Sequence, residues 1–184
     1  MLEKLLMHRL AKFVLFKILK WKILDDYKLP KKCILIVAPH THWKDLVYGI
    51  IIREAMNQEI NFIGKKELFK FPFGFFFRMM GGKPVDRGSN SNTVEIIAKM
   101  FKNNNQFRLV ISPEGTRKKV EKWKTGFYYI SKKADVPIIS ATLNFKEKNT
   151  RISKPFYPTN NIEEDFKKLK LFFRGVKGKV EEFS

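Results

Sequence analysis

The stretch Cys33-Ile-Leu-Ile-Val-Ala38, then Pro39-His40-Thr41-His42-Trp43-Lys44, then Asp45-Leu-Val-Tyr-Gly-Ile-Ile-Ile-Arg-Glu-Ala-Met56, decides the fold. Its first part is short, apolar, rich in β-branched residues and free of polar alternation, which is how a strand buried on both faces of a sheet reads. Its last part carries no proline and is long enough for about three helical turns. Strand, polar loop and helix in that order open a β-α-β unit, so the neighbouring strands are expected to run parallel.

Working outward, Ile60 to Ile63 reads as a second short strand, Lys65 to Met80 as a helix broken near Pro72 and Gly74, and Lys83 to Val85 as a third strand. Asn92 with Glu95 three residues on forms a capping box that opens a helix through Lys102, whose apolar positions 94, 97, 98 and 101 fall on one stripe. A strand over Phe107 to Ile111 follows, then a turn-rich loop, a helix around Thr125 to Lys133, strands near Val136 to Leu143 and Arg151 to Tyr157, and an amphipathic helix from about Ile162 to Phe173. This alternation predicts an α/β fold: one domain with a mostly parallel central sheet flanked by helices. The economical division is a helical N-terminal segment over residues 1–30 and an α/β domain over 31–184.

Composition bounds the partners. The chain has 184 residues, a formal net charge of +19 from 37 Lys+Arg against 18 Asp+Glu, 44% apolar residues and 18 Phe. Such a chain buries a real core, and a disordered basic tail is excluded. Cys33 has no partner for an intramolecular disulfide, and three His with one Cys make no structural-zinc spacing, so a reducing compartment and no metal are expected. The charge calls for an anionic partner, which is nucleic acid, an acidic membrane surface or a phosphorylated substrate.

Residues 1–24 contain neither Gly nor Pro and read as a helix. Leu6, Leu10, Phe13 and Val14 share one face, opposite Lys4, His8 and Lys12, and no run approaches the roughly 20 apolar residues of a spanning helix. The segment carries six cations against Glu3 alone and is expected to bind an anionic membrane surface as an interfacial amphipathic helix. That places the chain as a peripheral or monotopic protein on the cytoplasmic face of a membrane. The plain alternative is an amphipathic helix packed on its own domain.

Ligands of open α/β sheets gather where strands end and βα loops begin. After Ala38 the loop supplies His40 and His42 with Asp45 close behind, and a carboxylate there can hold an imidazole Nδ1–H and leave Nε2 as a general base. Spacing alone admits either histidine. After Ile111 comes Ser112-Pro113-Glu114-Gly115-Thr116-Arg117, with a glycine for a turn, a hydroxyl, and a guanidinium suited to phosphate. A third block, Gly81-Gly82-Lys83-Pro84-Val85-Asp86-Arg87, ends in an Asp-Arg pair.

Taken together and in this order, the blocks resemble the 1-acylglycerol-3-phosphate acyltransferase (lysophosphatidic acid acyltransferase, PlsC-like) family. His40-x-x-x-x-Asp45 matches the family's H-x-x-x-x-D block and selects His40; Gly81 to Arg87, Pro113 to Arg117 and Val136-Pro137-Ile138-Ile139 match its later blocks, across residues 33 to 145. Ser112, Lys118, Lys83 and Ser140 depart from its usual residues. The resemblance implies transfer of a fatty acyl group from acyl-CoA or acyl carrier protein to a lysophospholipid hydroxyl, most readily that of 1-acyl-glycerol-3-phosphate, with no cofactor. It implies His40 and Asp45 as catalytic, and Lys65, Asp86, Arg87, Glu114, Gly115, Thr116 and Arg117 as binding the acceptor. A different lysolipid acceptor is the nearest alternative. A basic nucleic-acid-binding domain is the alternative from another class, and the clustering of aromatics with apolar neighbours argues against it.

Overall fold

A computed structural model of the chain describes residues 2–25, 28–85 and 93–184. In chain order its regular elements are α1 (Leu2–Phe13), β1 (Lys22–Ile23), β2 (Lys32–Ala38), α2 (Lys44–Ala55), β3 (Asn61–Lys65), α3 (Gly74–Met79), β4 (Gly82–Val85), α4 (Thr93–Asn103), β5 (Phe107–Ile111), α5 (Gly126–Ala134), β6 (Ile138–Thr142), β7 (Asn149–Thr150) and α6 (Ile162–Leu171). Five strands form one parallel sheet in the order β4-β3-β5-β2-β6, with Ile34 of β2 facing Leu109 on one side and Ile138 on the other. The buried apolar run is thus a central strand, as a strand covered on both faces must be.

Side-chain alternation along β2 divides the core. Ile34 and Ile36 pack with Ile97 and Phe101 of α4, Phe127 and Ile130 of α5 and Leu169 of α6. Cys33 and Leu35 point the other way, beside Met56 and Ile60 at the foot of α2. Burial pushes the Cys33 thiol up to about 12. On this second side α2 is joined to the α3 region by Arg53, whose Nη1 donates to Ile60 O at 2.7 Å and Met80 O at 2.6 Å.

Two expectations change. The N-terminal helix stops at Phe13, passes through a π-helical turn at Val14–Ile18 and reverses at Lys20, which has φ 53°. Long-range partners end it: Trp21 is buried against Tyr48 and Phe145 and donates from Nε1 to Thr150 Oγ1 at 2.9 Å, and β1 pairs in parallel with β7. Leu15 and Trp21 share a core cluster with Ile52 and Ala55, so this part of the N-terminal segment over residues 1–30 packs with the α/β domain. The strand expected over Arg151 to Tyr157 is reduced to isolated antiparallel bridges at Ile152 and Phe156, since Pro155 lacks an N–H to donate. The capping Asn92 lies outside the described residues.

Candidate active site

The carboxyl ends of β2 and β5 are neighbours in the sheet, so the two loops read as chemical meet at one edge. Asp45, in the first turn of α2, is 4% exposed, and its Oδ2 accepts three hydrogen bonds: from His40 Nδ1 at 2.9 Å, Thr41 N at 2.8 Å and His42 N at 2.9 Å. The loop therefore wraps around a single carboxylate oxygen. With Nδ1–H engaged, His40 keeps Nε2 for a substrate; its side chain is 26% exposed and lines a cavity. His42 is otherwise employed, its Nδ1 accepting from Lys44 N at 3.2 Å as a local cap.

The second loop supports the first. Glu114 is turned back under the histidine loop, where its Oε2 accepts from His40 N at 2.7 Å and from the Ser112 hydroxyl at 3.3 Å. Burial raises its pKa above the ordinary carboxylate value, opposed by the hydrogen bond from His40 N. Ser112 thus supplies a donor that a phenylalanine at this position would lack. Gly115 has φ +68°, a conformation that glycine adopts without strain, and its turn brings Thr116 and Arg117 to the cavity. Lys124 N, donating to Pro113 O at 2.7 Å, closes this loop at its base.

The cavity has a volume of about 810 Å³ and runs under α2. At the sheet's carboxyl edge it is lined by His40, Asp45, Arg117 and Lys124; further in the walls are mostly apolar, with Leu35 and Val37 of β2, Ile50 of α2, and Met56 and Ile60 beyond it, and Arg53 among them.

Of the residues singled out in the sequence, His40, Asp45, Gly115, Thr116 and Arg117 line this one cavity. Glu114 lies behind it, and Lys65 is exposed at the end of β3 on the same edge of the sheet. Asp86 and Arg87 lie outside the described residues. Sequence reasoning passed over Lys124 and Thr41; no motif marks Lys124, and Thr41 is visible only once its N–H is seen on Asp45.

Fold and site define a parallel α/β protein with a His–Asp pair at the carboxyl edge of its sheet. Residues 21–144 match the family model described as Acyltransferase, and the chain belongs to that family. It is 33% identical over 110 residues to the 1-acyl-sn-glycerol-3-phosphate acyltransferase of Streptococcus pneumoniae, a stretch that covers 59% of this chain and 40% of that relative. The chain thus spans well under two thirds of that relative's length. Among solved structures it is similar to the 1-acyl-sn-glycerophosphate (LPA) acyltransferase, PlsC, from Thermotoga maritima, with a TM-score of 0.65 at 19% identity over 94% of this chain and 78% of that one. That likeness is one of fold.

Proposed function

We propose that the protein transfers a fatty acyl group from a thioester, acyl-CoA or acyl carrier protein, to the hydroxyl of a lysophospholipid, with 1-acyl-glycerol-3-phosphate the first candidate. The observation that carries this reading is the His40–Asp45 pair, held at 2.9 Å at the head of an apolar cavity with cations at its rim. His40 Nε2 removes the acceptor's hydroxyl proton as oxygen attacks the thioester carbonyl. The C–O bond forms, the C–S bond breaks, and the proton passes to the departing thiolate. Asp45 fixes the ring and stabilises the imidazolium. No side chain needs to act as nucleophile, because the acceptor brings its own. The apolar walls suit an acyl chain, whose transfer from water is worth about 0.8 kcal/mol per buried methylene. Arg117 and Lys124 offer positive charge to a phosphate, and Lys65, Asp86 and Arg87 remain candidates for the same acceptor.

Exposed apolar side chains support a bilayer as the place of work. On α1, Leu6, Leu10 and Phe13 face away from the domain, while the opposite stripe is docked on it through His8 Nδ1 on Glu54 O at 2.8 Å and Lys4 on Glu59 at 2.7 Å. This is the reverse of an amphipathic helix that hides its apolar face. Around α3, Phe71 is 97% exposed and Phe73, Phe75, Phe76 and Met79 are exposed with it, beside Lys70 and Arg78. An apolar patch with basic neighbours suits an anionic membrane surface. Among the described residues no helix is long and apolar enough to cross a membrane, so attachment is read as peripheral or monotopic.

The test is His40→Ala assayed on a panel of lysolipid acceptors with both donor types, read by lipid mass spectrometry. Turnover is expected to fall at least about 1000-fold with the fold intact. Undiminished turnover refutes the reading.

A further inference from the structure

Residues 176–184 lie beyond the 21–144 matched by the family model, yet they sit on the catalytic loop. The chain leaves α6, turns at Gly175 with φ +79°, buries Val176, and is pinned where Lys177 O accepts from Phe145 N at 2.8 Å. Val180 N then donates to Thr41 Oγ1 at 3.1 Å. Gly178 N donates to Ser184 Oγ at 2.8 Å, folding the segment into a tight unit over that contact. Thr41, 3% exposed, is the residue between the two histidines, and its own N–H holds Asp45 Oδ2.

The fit at Gly178 is closer than any side chain allows. A Cβ at this position would stand 2.6 Å from Thr41 Oγ1, 2.7 Å from Thr41 Cγ2 and 3.2 Å from Pro39 Cγ. Thr41 has no room to yield, because its hydroxyl, its N–H and its burial are all committed. A displacement there therefore passes to the Asp45 carboxylate and from it to the His40 ring.

We propose that this segment is a strap that sets the catalytic geometry, with Gly178 and Val180 as positioning residues that hold Thr41, and through it Asp45 and His40, in register. The inference rests on the His–Asp reading given under Proposed function. It makes catalysis depend on a segment that touches none of the reacting atoms.

Three variants of the full chain test it: Gly178→Ala, which forces the contact apart; Thr41→Val, which keeps the shape and removes the acceptor oxygen; and Thr41→Ser, which keeps the oxygen. For each, kcat, the KM of both substrates, thermal unfolding and the NMR signal of the His40 Nδ1–H proton are measured. Gly178→Ala and Thr41→Val are expected to lower kcat about 10- to 100-fold with both KM values within about twofold, and to shift or broaden the imidazole proton signal. Thr41→Ser restores most of kcat and the signal. A lower melting temperature with kcat and the imidazole signal unchanged overturns the proposal, since the strap is then only structural. If Gly178→Ala fails to fold, the Thr41 pair decides. His40→Ala, run alongside, separates the two claims: if it retains turnover the His–Asp reading falls, whereas if it abolishes turnover while Thr41→Val keeps wild-type kcat, the strap alone falls.

Discussion

His40 and His42 are two residues apart on one loop, yet one nitrogen of each distinguishes them: His40 Nδ1 meets a buried carboxylate, and His42 Nδ1 meets the N–H of Lys44. Spacing along the chain carries no information about which way a ring turns, so the residues alone left the choice open and only the motif resemblance selected His40. The resemblance implies Glu114 as an acceptor ligand; what spacing hides is the hydrogen bond that turns one of its oxygens toward His40 N. Arg117 is exposed at the cavity rim, and Arg117→Ala is expected to raise the KM of a phosphate-bearing acceptor about 10-fold while changing kcat little, read from initial rates. Glu114 makes a prediction about pH. Its folded pKa is raised, so as pH climbs from its ordinary value of 4.5 toward the raised one the unfolded chain releases its proton first and the native state loses stability. Glu114→Gln should remove that slope, seen as a smaller fall in melting temperature across this acidic window than in the parent protein.

At the scale of elements, strand β2 was legible because a central strand leaves an apolar run from Cys33 to Ala38, β5 because its run is broken by Arg108 alone, and α2 because no proline breaks it. The end of α1 was not legible, since the partners of Trp21 are Tyr48, Phe145 and Thr150, far along the chain. This alters how membrane attachment is best probed. Removing residues 1–24 would strip Leu15 and Trp21 from the core, so surface substitutions are the cleaner instrument. Leu6→Ser with Leu10→Ser on α1, and separately Phe71→Ser with Phe75→Ser around α3, should each weaken co-sedimentation with anionic vesicles by about 10-fold or more. Raised salt should weaken binding further by screening the lysines. Loss from only one pair would assign attachment to that element, and loss from neither would exclude both.

At the scale of the molecule, the two faces of the sheet differ in how much core they hold. The face under α4, α5 and α6 holds the larger buried cluster, and the cavity draws its lining from both faces, Leu35 and Ile50 on the α2 side and Ile97 and Phe127 on the other. The parallel sheet and its flanking helices were readable from the alternation of patterns; the cavity was not, because its lining is gathered from several strands and helices far apart along the chain. The solitary cysteine on the α2 side gives the experimenter something practical. The proposed reaction would cleave a thioester and liberate a thiol from the donor, and a chromogenic disulfide reagent can count it continuously provided the protein itself stays silent. Cys33 is fully enclosed and resists ionisation, so the native chain should contribute no background colour over a turnover assay. In denaturant the same reagent should register one equivalent per chain, so a single chemistry reports product formed before unfolding and the fraction unfolded after it.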